Sequence, residues 1–263
     1  MERSRPPDPA RPASLSGRPP TFAARALVGV LGAAAAACSA SAPTPAVATP
    51  GARPSGTYPP GATLAPAEAA DEIAYYRERS AVLAAPTNIE IARTDFTRLR
   101  RGRLYLTEGL RDREIANLER RLTTAFGAGD GPQVLEVTGQ ILARNQADIR
   151  AHTLRSVTLG RAGQTSEADT QHEIAIGLIE SIIRGGDGLG FASAWTVFDV
   201  SEEYEVLKVE GCLPRAQGLA SQGERSFDVL RARKFSDGSP CDFYFDVTEM
   251  MAVVARHFPG QRQ

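Results

Sequence analysis

The stretch that decides the fold is residues 186–247, GDGLGFASAWTVFDVSEEYEVLKVEGCLPRAQGLASQGERSFDVLRARKFSDGSPCDFYFDV. Its apolar residues fall in short alternating runs cut by Gly, Pro, Asp and Ser, the pattern of strands joined by tight turns. Residues 195–200, 217–221, 226–234 and 242–247 read as strands, with QGE at 222–224 and SDGSP at 236–240 as hairpin separators. SEEYEVL at 201–207 has a capping serine and an acidic first turn, which predicts a helix. A last helix runs through Met250, Met251, Val254 and His257. Alternation at the strand period puts Trp195, Val197, Phe227, Val229, Phe243 and Phe245 on one core face and turns Leu230 away. The glycines at 185–190 lack the preceding strand and following lysine of a phosphate loop and read as a helix-ending turn.

Upstream the period changes to that of helices. Residues 67–85 form a short helix ended by Pro86, and caps at 94–97 open an irregular helical stretch up to Leu110. From Asp112 the signal is regular: Ile115, Leu118 and Leu122, then a stop at 128–132, then Val134, Val137, Ile141 and Leu142. Helices at 147–162 and up to Arg184 follow, the latter with Ser166, Glu167 and Asp169 as its capping pattern. Gly129 and Gly163 are 34 residues apart, as are Val134 and Ala168, the period of tetratricopeptide hairpins, although Arg155 and Ser156 stand where an apolar-small pair is common. The expected fold is α+β. Degenerate tetratricopeptide-like helical hairpins (67–184) pack with a small antiparallel sheet carrying one or two helices (185–263), and 67–263 forms one compact unit.

The first 66 residues are different, holding 13 of the 18 prolines. Five arginines precede a 12-residue apolar run, ALVGVLGAAAAA at 26–37, which is a signal-peptide shape and too short to span a bilayer. The following Ala35-Ala36-Ala37-Cys38-Ser39 resembles a bacterial lipobox, with Ala35 where leucine is usual. That resemblance implies lipidation of Cys38 after removal of 1–37, and Ser39 in place of aspartate implies delivery to the outer membrane, facing the periplasm. Cleavage by an ordinary signal peptidase after Ala40 or Ala42 is the alternative. Residues 38–66 read as a Pro/Ala-rich tether. A chain starting at Cys38 carries 25 basic and 29 acidic residues, so no nucleic-acid surface is expected. Such a chain retains Cys212 and Cys241 as its other cysteines. An oxidising periplasm favours a disulfide between them, two free thiols being the alternative.

The 186–247 string resembles domain-of-unknown-function family 4919 of secreted bacterial proteins, less specifically from about residue 90 onward. The residues that carry the likeness are Gly186, Asp187, Gly188, Glu202, Glu203, Tyr204, Asp228, Phe245 and Asp246. The resemblance implies no activity, substrate or catalytic residue, and Cys212 and Cys241 depart from the pattern.

No motif assigns catalytic residues, a cofactor or a metal. The histidines are His152, His172 and His257, none in a zinc-type spacing, and His172 falls in register with Ala168, Ala175, Ile176 and Ile179 as a packed core residue. Glu202, Glu203 and Glu205 with Asp187 and Asp199 are the densest acidic group. Neighbouring helix positions point in different directions, so capping and solvation account for them. Asp187, Glu202, Glu203 and Tyr204 remain the surface or site candidates. The functional expectation is a lipid-anchored envelope module that binds an unknown protein or peptide without catalysis. A periplasmic hydrolase using acidic residues near Asp187 and Glu202 is the alternative.

Overall fold

The computed structural model describes residues 63–106 and 113–257. The leader, Cys38 and the tether up to residue 62 lie outside the described residues. The tether's last residues already belong to the fold: Leu64 is buried, its backbone N–H donates to Tyr105 Oη at 2.9 Å, and the first helix starts at Pro66.

The described residues form helices α1 (Pro66–Leu83), α2 (Asn88–Ala92), α3 (Phe96–Tyr105), α4 (Arg113–Ala128), α5 (Gly131–Leu142), α6 (Ile149–Arg161) and α7 (Thr165–Ile183). Strand β1 (Trp195–Thr196), helix α8 (Val200–Val209), strands β2 (Cys212–Gln222), β3 (Arg225–Lys234) and β4 (Pro240–Asp246), and helix α9 (Thr248–His257) complete an α+β fold. Local chemistry sets most helix starts. Asp95, Asp130 and Asp148 each accept the backbone N–H three residues on, and Thr87 with Glu90 forms a capping box for α2, a helix the apolar periodicity does not reveal. The pattern around Ser166 is not a cap, because α7 starts one residue earlier behind Gln164.

Gly129 and Gly163 end α4 and α6 with φ of 70° and 79°, so the 34-residue spacing marks two equivalent left-handed turns. The spacing alone does not make tetratricopeptide repeats. Where such repeats pack apolar side chains, Arg155 donates to Leu135 O at 2.8 Å and Ser156 to Ala168 O at 2.8 Å.

The sheet is mixed rather than antiparallel, with order β1-β4-β3-β2 and β1 parallel to β4. The reason is the helix: a strand–helix–strand crossing through α8 returns β2 in the direction of β1, and two hairpins then bring β4 back parallel to β1. The expected strand at 195–200 is cut to two residues because Asp199 caps α8, and β2 is longer than expected. Gly223, at φ 61°, takes the first place of the two-residue loop between β2 and β3, as a type II′ hairpin requires.

Register overturns one core expectation. Asp228 pairs with Phe245 and Leu230 with Phe243, so Leu230 shares the helix-facing side with Phe243, Phe245 and Trp195 and is fully buried. Phe227 and Val229 lie on the opposite side, and Val229 is only half-buried there. Phe227 is buried without facing the main core: Phe191 meets it edge-on at 4.9 Å and the Arg225 guanidinium lies 4.7 Å over its ring. The main core joins Leu99 of α3 and Ile174, Leu178 and Ile182 of α7 to Trp195, Leu230, Phe243 and Phe245. A second cluster, Leu118, Leu122, Val134, Val137 and Ile141, holds α4 to α5. Cys212 and Cys241 are joined as a disulfide with Cα atoms 6.8 Å apart, fastening the two strands that flank β3.

Two outcomes are expected from denaturant titration. Leu230→Ala lowers stability by about 2–5 kcal/mol and Val229→Ala by about 1 kcal/mol or less, the reverse of what the alternation alone predicts. Reducing the disulfide, whose half-cystines are 29 residues apart, lowers stability by roughly 3–4 kcal/mol in the chain-entropy account.

Candidate functional site

Capping and solvation do not describe α8. Glu202, Glu203 and Glu205 are all buried, at 4%, 0% and 8% exposure, and each meets a different neighbour. Glu202 is held by Arg100 of α3, which is 1% exposed: Nε donates to Oε1 and Nη2 to Oε2, both at 2.7 Å. The same guanidinium donates to Ser181 Oγ at 3.1 Å and Thr196 O at 3.0 Å, and Phe198 N–H donates to Glu202 Oε2 at 2.8 Å. This network ties α3, α7, β1 and α8 together at one point.

Glu203 has no hydrogen-bond partner for either carboxylate oxygen among the described residues. Burial, with the nearby charges of Asp228, Glu202 and Asp199, pushes its pKa up to about 8, so the side chain is a neutral acid at pH 7. Tyr204 points elsewhere, donating to Gln217 Oε1 at 2.9 Å, while Gln217 donates to Asp228 Oδ2 at 2.5 Å. Asp187 belongs to a different structure. It is exposed in the turn after α7, where Ser193 Oγ at 2.5 Å and Leu189 N–H at 2.9 Å donate to it and hold its pKa below the usual carboxylate range. Its glycine neighbours serve packing: a Cβ on Gly188 would lie 2.5 Å from the Trp195 ring, and Trp195 Nε1 donates to Gly186 O at 2.9 Å. The structure therefore places Glu202, Glu203 and Tyr204 on one helix with three separate environments, and Asp187 apart from them.

The concave feature lies on the other side of Tyr204. A cleft of about 390 Å³ runs between α8 and the helical part, with Arg103 of α3, Glu119 of α4 and Asp148 and Arg150 at the start of α6 opposite Asp199, Tyr204, Glu205 and Lys208. Its walls are built from helix starts. Asp148 accepts Ala151 N–H at 2.8 Å, and Asp199 accepts Ser201 N–H at 2.8 Å and Ser201 Oγ–H at 2.6 Å. Arg150 pairs with Glu119 at 2.7 Å and Lys208 with Glu205 at 2.5 Å. Burial, reinforced by the charges of Glu119, Asp199 and Glu205, pushes Asp148 up to about 7. Burial also raises Glu119, against the opposing pull of Arg150. Arg103 donates to Leu106 O at 3.3 Å, while its buried Nε has no partner among the described residues.

The sequence singles out Tyr204 in this cleft, and Asp199 and Glu205 as part of its acidic group, but not Arg103, Glu119, Asp148 or Arg150. The caps at Asp148 and Asp199 were the available local signal. The histidine reading changes as well. His172 is only half-buried, whereas His152 is fully buried between Gln171 Oε1 at 2.7 Å and Gln146 O at 3.1 Å, and burial holds it neutral with a pKa down to about 4. Among the described residues no group of three or more His, Cys, Asp or Glu is placed to hold a metal ion, and no helix is long and apolar enough to cross a membrane.

Residues 110–256, more than half of the chain, match the family described as Domain of unknown function (DUF4919). No curated protein and no solved structure matches.

The neutral Glu203 has a pH signature. Its folded-state pKa of about 8 lies above the ordinary 4.5, so from about pH 4.5 to 8 the unfolded chain loses this proton while the folded chain keeps it. Stability from this group is therefore greatest at low pH and falls through that window. Glu203→Gln removes the dependence: urea titrations should find the two proteins about equally stable at pH 5 and the variant more stable by on the order of 2 kcal/mol above pH 8. Parallel pH profiles would place an ionised carboxylate at this position.

Proposed function

For this chain, which belongs to the DUF4919 family, we propose the role of an exported, lipid-anchored envelope module that binds a protein or peptide segment without transforming it, in the cleft between α8 and the helical hairpins. The observation that carries the reading is the lining of that cleft. Groups of both signs, Arg103, Arg150 and Lys208 with Asp148, Asp199 and Glu205, surround a volume of about 390 Å³. A polar peptide segment, with donors and acceptors along its backbone and charges of either sign, matches such walls. α4 and the start of α6, with Arg103 of α3, contribute one wall, and α8 supplies the other.

Against the hydrolase alternative stands the occupation of its carboxylates. Both oxygens of Glu202 accept from Arg100 and one also from Phe198 N–H, so the carboxylate is already occupied by structural partners. Asp187 is exposed and held low by Ser193 and Leu189, the opposite of a group tuned to donate a proton near neutral pH. The neutral Glu203 has the raised pKa that acid catalysis asks for, but it is fully buried and is not among the residues lining the cleft.

Export and anchoring rest on the arginine-rich leader, the apolar run at 26–37 and the small residues before Cys38. Metabolic palmitate labelling is expected on the wild-type protein and absent from Cys38→Ala; unchanged labelling and membrane association in the variant would replace anchoring with ordinary secretion. For the cleft, a photo-crosslinking residue at Tyr204 in the full chain in cells is expected to capture a discrete partner that the same residue at the exposed Leu189 does not. Equal capture at both positions would move binding away from the cleft. Loss of the cellular phenotype in a folded Glu203→Gln or Asp187→Asn variant that still crosslinks would favour the enzyme.

A further inference from the structure

Among the described residues the sheet has one long edge that no further strand pairs with. β2 pairs with β3 along its whole length and is the last strand in the order, and among the described residues no backbone hydrogen bond reaches residues 213–222 except through the β2–β3 ladder. Folded proteins blunt such edges with charge, proline or bulges. β2 does so at its start, where Pro214 and the register shift between Pro214 and Ala216 break the strand. Beyond that point the edge is unprotected: Ala216-Gln217-Gly218-Leu219-Ala220-Ser221-Gln222 holds no charge and no proline, and Leu219 is 61% exposed.

We propose that this edge, residues 216–222, docks a second copy of the same chain, the two β2 strands pairing antiparallel about Leu219 so that the sheet continues across a two-fold axis. A two-fold perpendicular to the sheet keeps equivalent faces on the same side, so Leu219 meets Leu219 and Gln217 meets Ser221. Seven residues match the length of an ordinary strand. The ends supply the argument for self-pairing over a foreign peptide. Arg215, at the bulge, and Glu224, in the turn, lie at opposite ends of the edge, so antiparallel pairing brings Arg215 of each copy to the end that carries the other's Glu224, and the contact occurs twice. Arg215 and Glu224 are both exposed and have no ion-pair partner among the described residues. The uncharged centre and oppositely charged ends make the edge complementary to itself. The edge adjoins the cleft through the Tyr204–Gln217 hydrogen bond, but the proposed pairing uses the backbone of 216–222, so the inference does not depend on what the cleft binds.

Light-scattering sizing of the full chain in mild detergent, across a wide concentration range, tests the proposal, with circular dichroism to verify that each variant is folded. The wild type is expected to dimerise. Leu219→Lys, which sets like charges directly opposite each other, should raise the dissociation constant at least about tenfold. Arg215→Glu and Glu224→Arg should each weaken the dimer, and the double exchange should restore it. A wild-type monomer throughout, a dimer indifferent to Leu219→Lys, or a double exchange that restores nothing would each overturn the proposal.

Discussion

The rest of the structure depends on the placing of one cation. Arg100 is fully buried and far from the sheet in sequence, yet its guanidinium is where α3, α7, β1 and α8 meet. Taking two opposite charges out of water is costly, and a pair of this kind is tolerated when the remaining hydrogen-bonding positions are filled. Here they are: the guanidinium also reaches Ser181 and Thr196, and the carboxylate also accepts from Phe198 N–H. What the pair supplies is position. An apolar contact tolerates sliding, but a two-pronged pair fixes distance and angle together, and it sets α8 against the sheet, and hence one wall of the cleft.

α3 extends the same logic. Arg98 pairs with Glu72 of α1 at 3.1 Å and Arg101 with Glu249 of α9 at 3.2 Å, while Arg103 faces the cleft. Successive arginines on one short helix thus neutralise acids from three other elements. Gly102 lies between them for a steric reason, since a Cβ there would come within 2.2 Å of Glu72 O. On α8 the contrast is sharp: Glu202, within reach of α3, is paired, and Glu203, out of its reach, keeps its proton.

The α+β class, most of the helices and the β2–β3 hairpin were legible because they follow from local rules: caps, left-handed glycines, and periods of 3.6 and 2. Register was not, because Phe227 and Leu230 are both apolar and strand parity alone does not say which faces the helices; Phe191, distant in sequence, buries the one that points away. The parallel partner of β1 was hidden for the same reason, since two residues carry no periodicity. The cleft was the least legible part. Its walls come from segments up to about a hundred residues apart, and Asp148 and Glu119 look like ordinary helix-surface acids until Asp199 and Glu205 are brought against them. The run of glutamates in α8 misled because acidic first turns are usually solvated, and nothing local marks Arg100 as their counter-charge.

The separation of Arg100 from Glu202 also bears on order of assembly and on where a working fragment can begin. The two residues are 102 positions apart, so as the chain emerges from the ribosome or a translocation channel, α1 to α3 carry a cation destined for burial long before its carboxylate arrives. The early helices cannot close over Arg100 until β1 and α8 have emerged, which makes completion of the core a late, long-range event. The family match begins at residue 110, downstream of that cation. A fragment cut at that boundary would contain every residue of the match and yet leave the buried Glu202 with no counter-charge. The set of residues that satisfies Glu202 is therefore longer than the segment by which the family is identified, and it reaches back to α3.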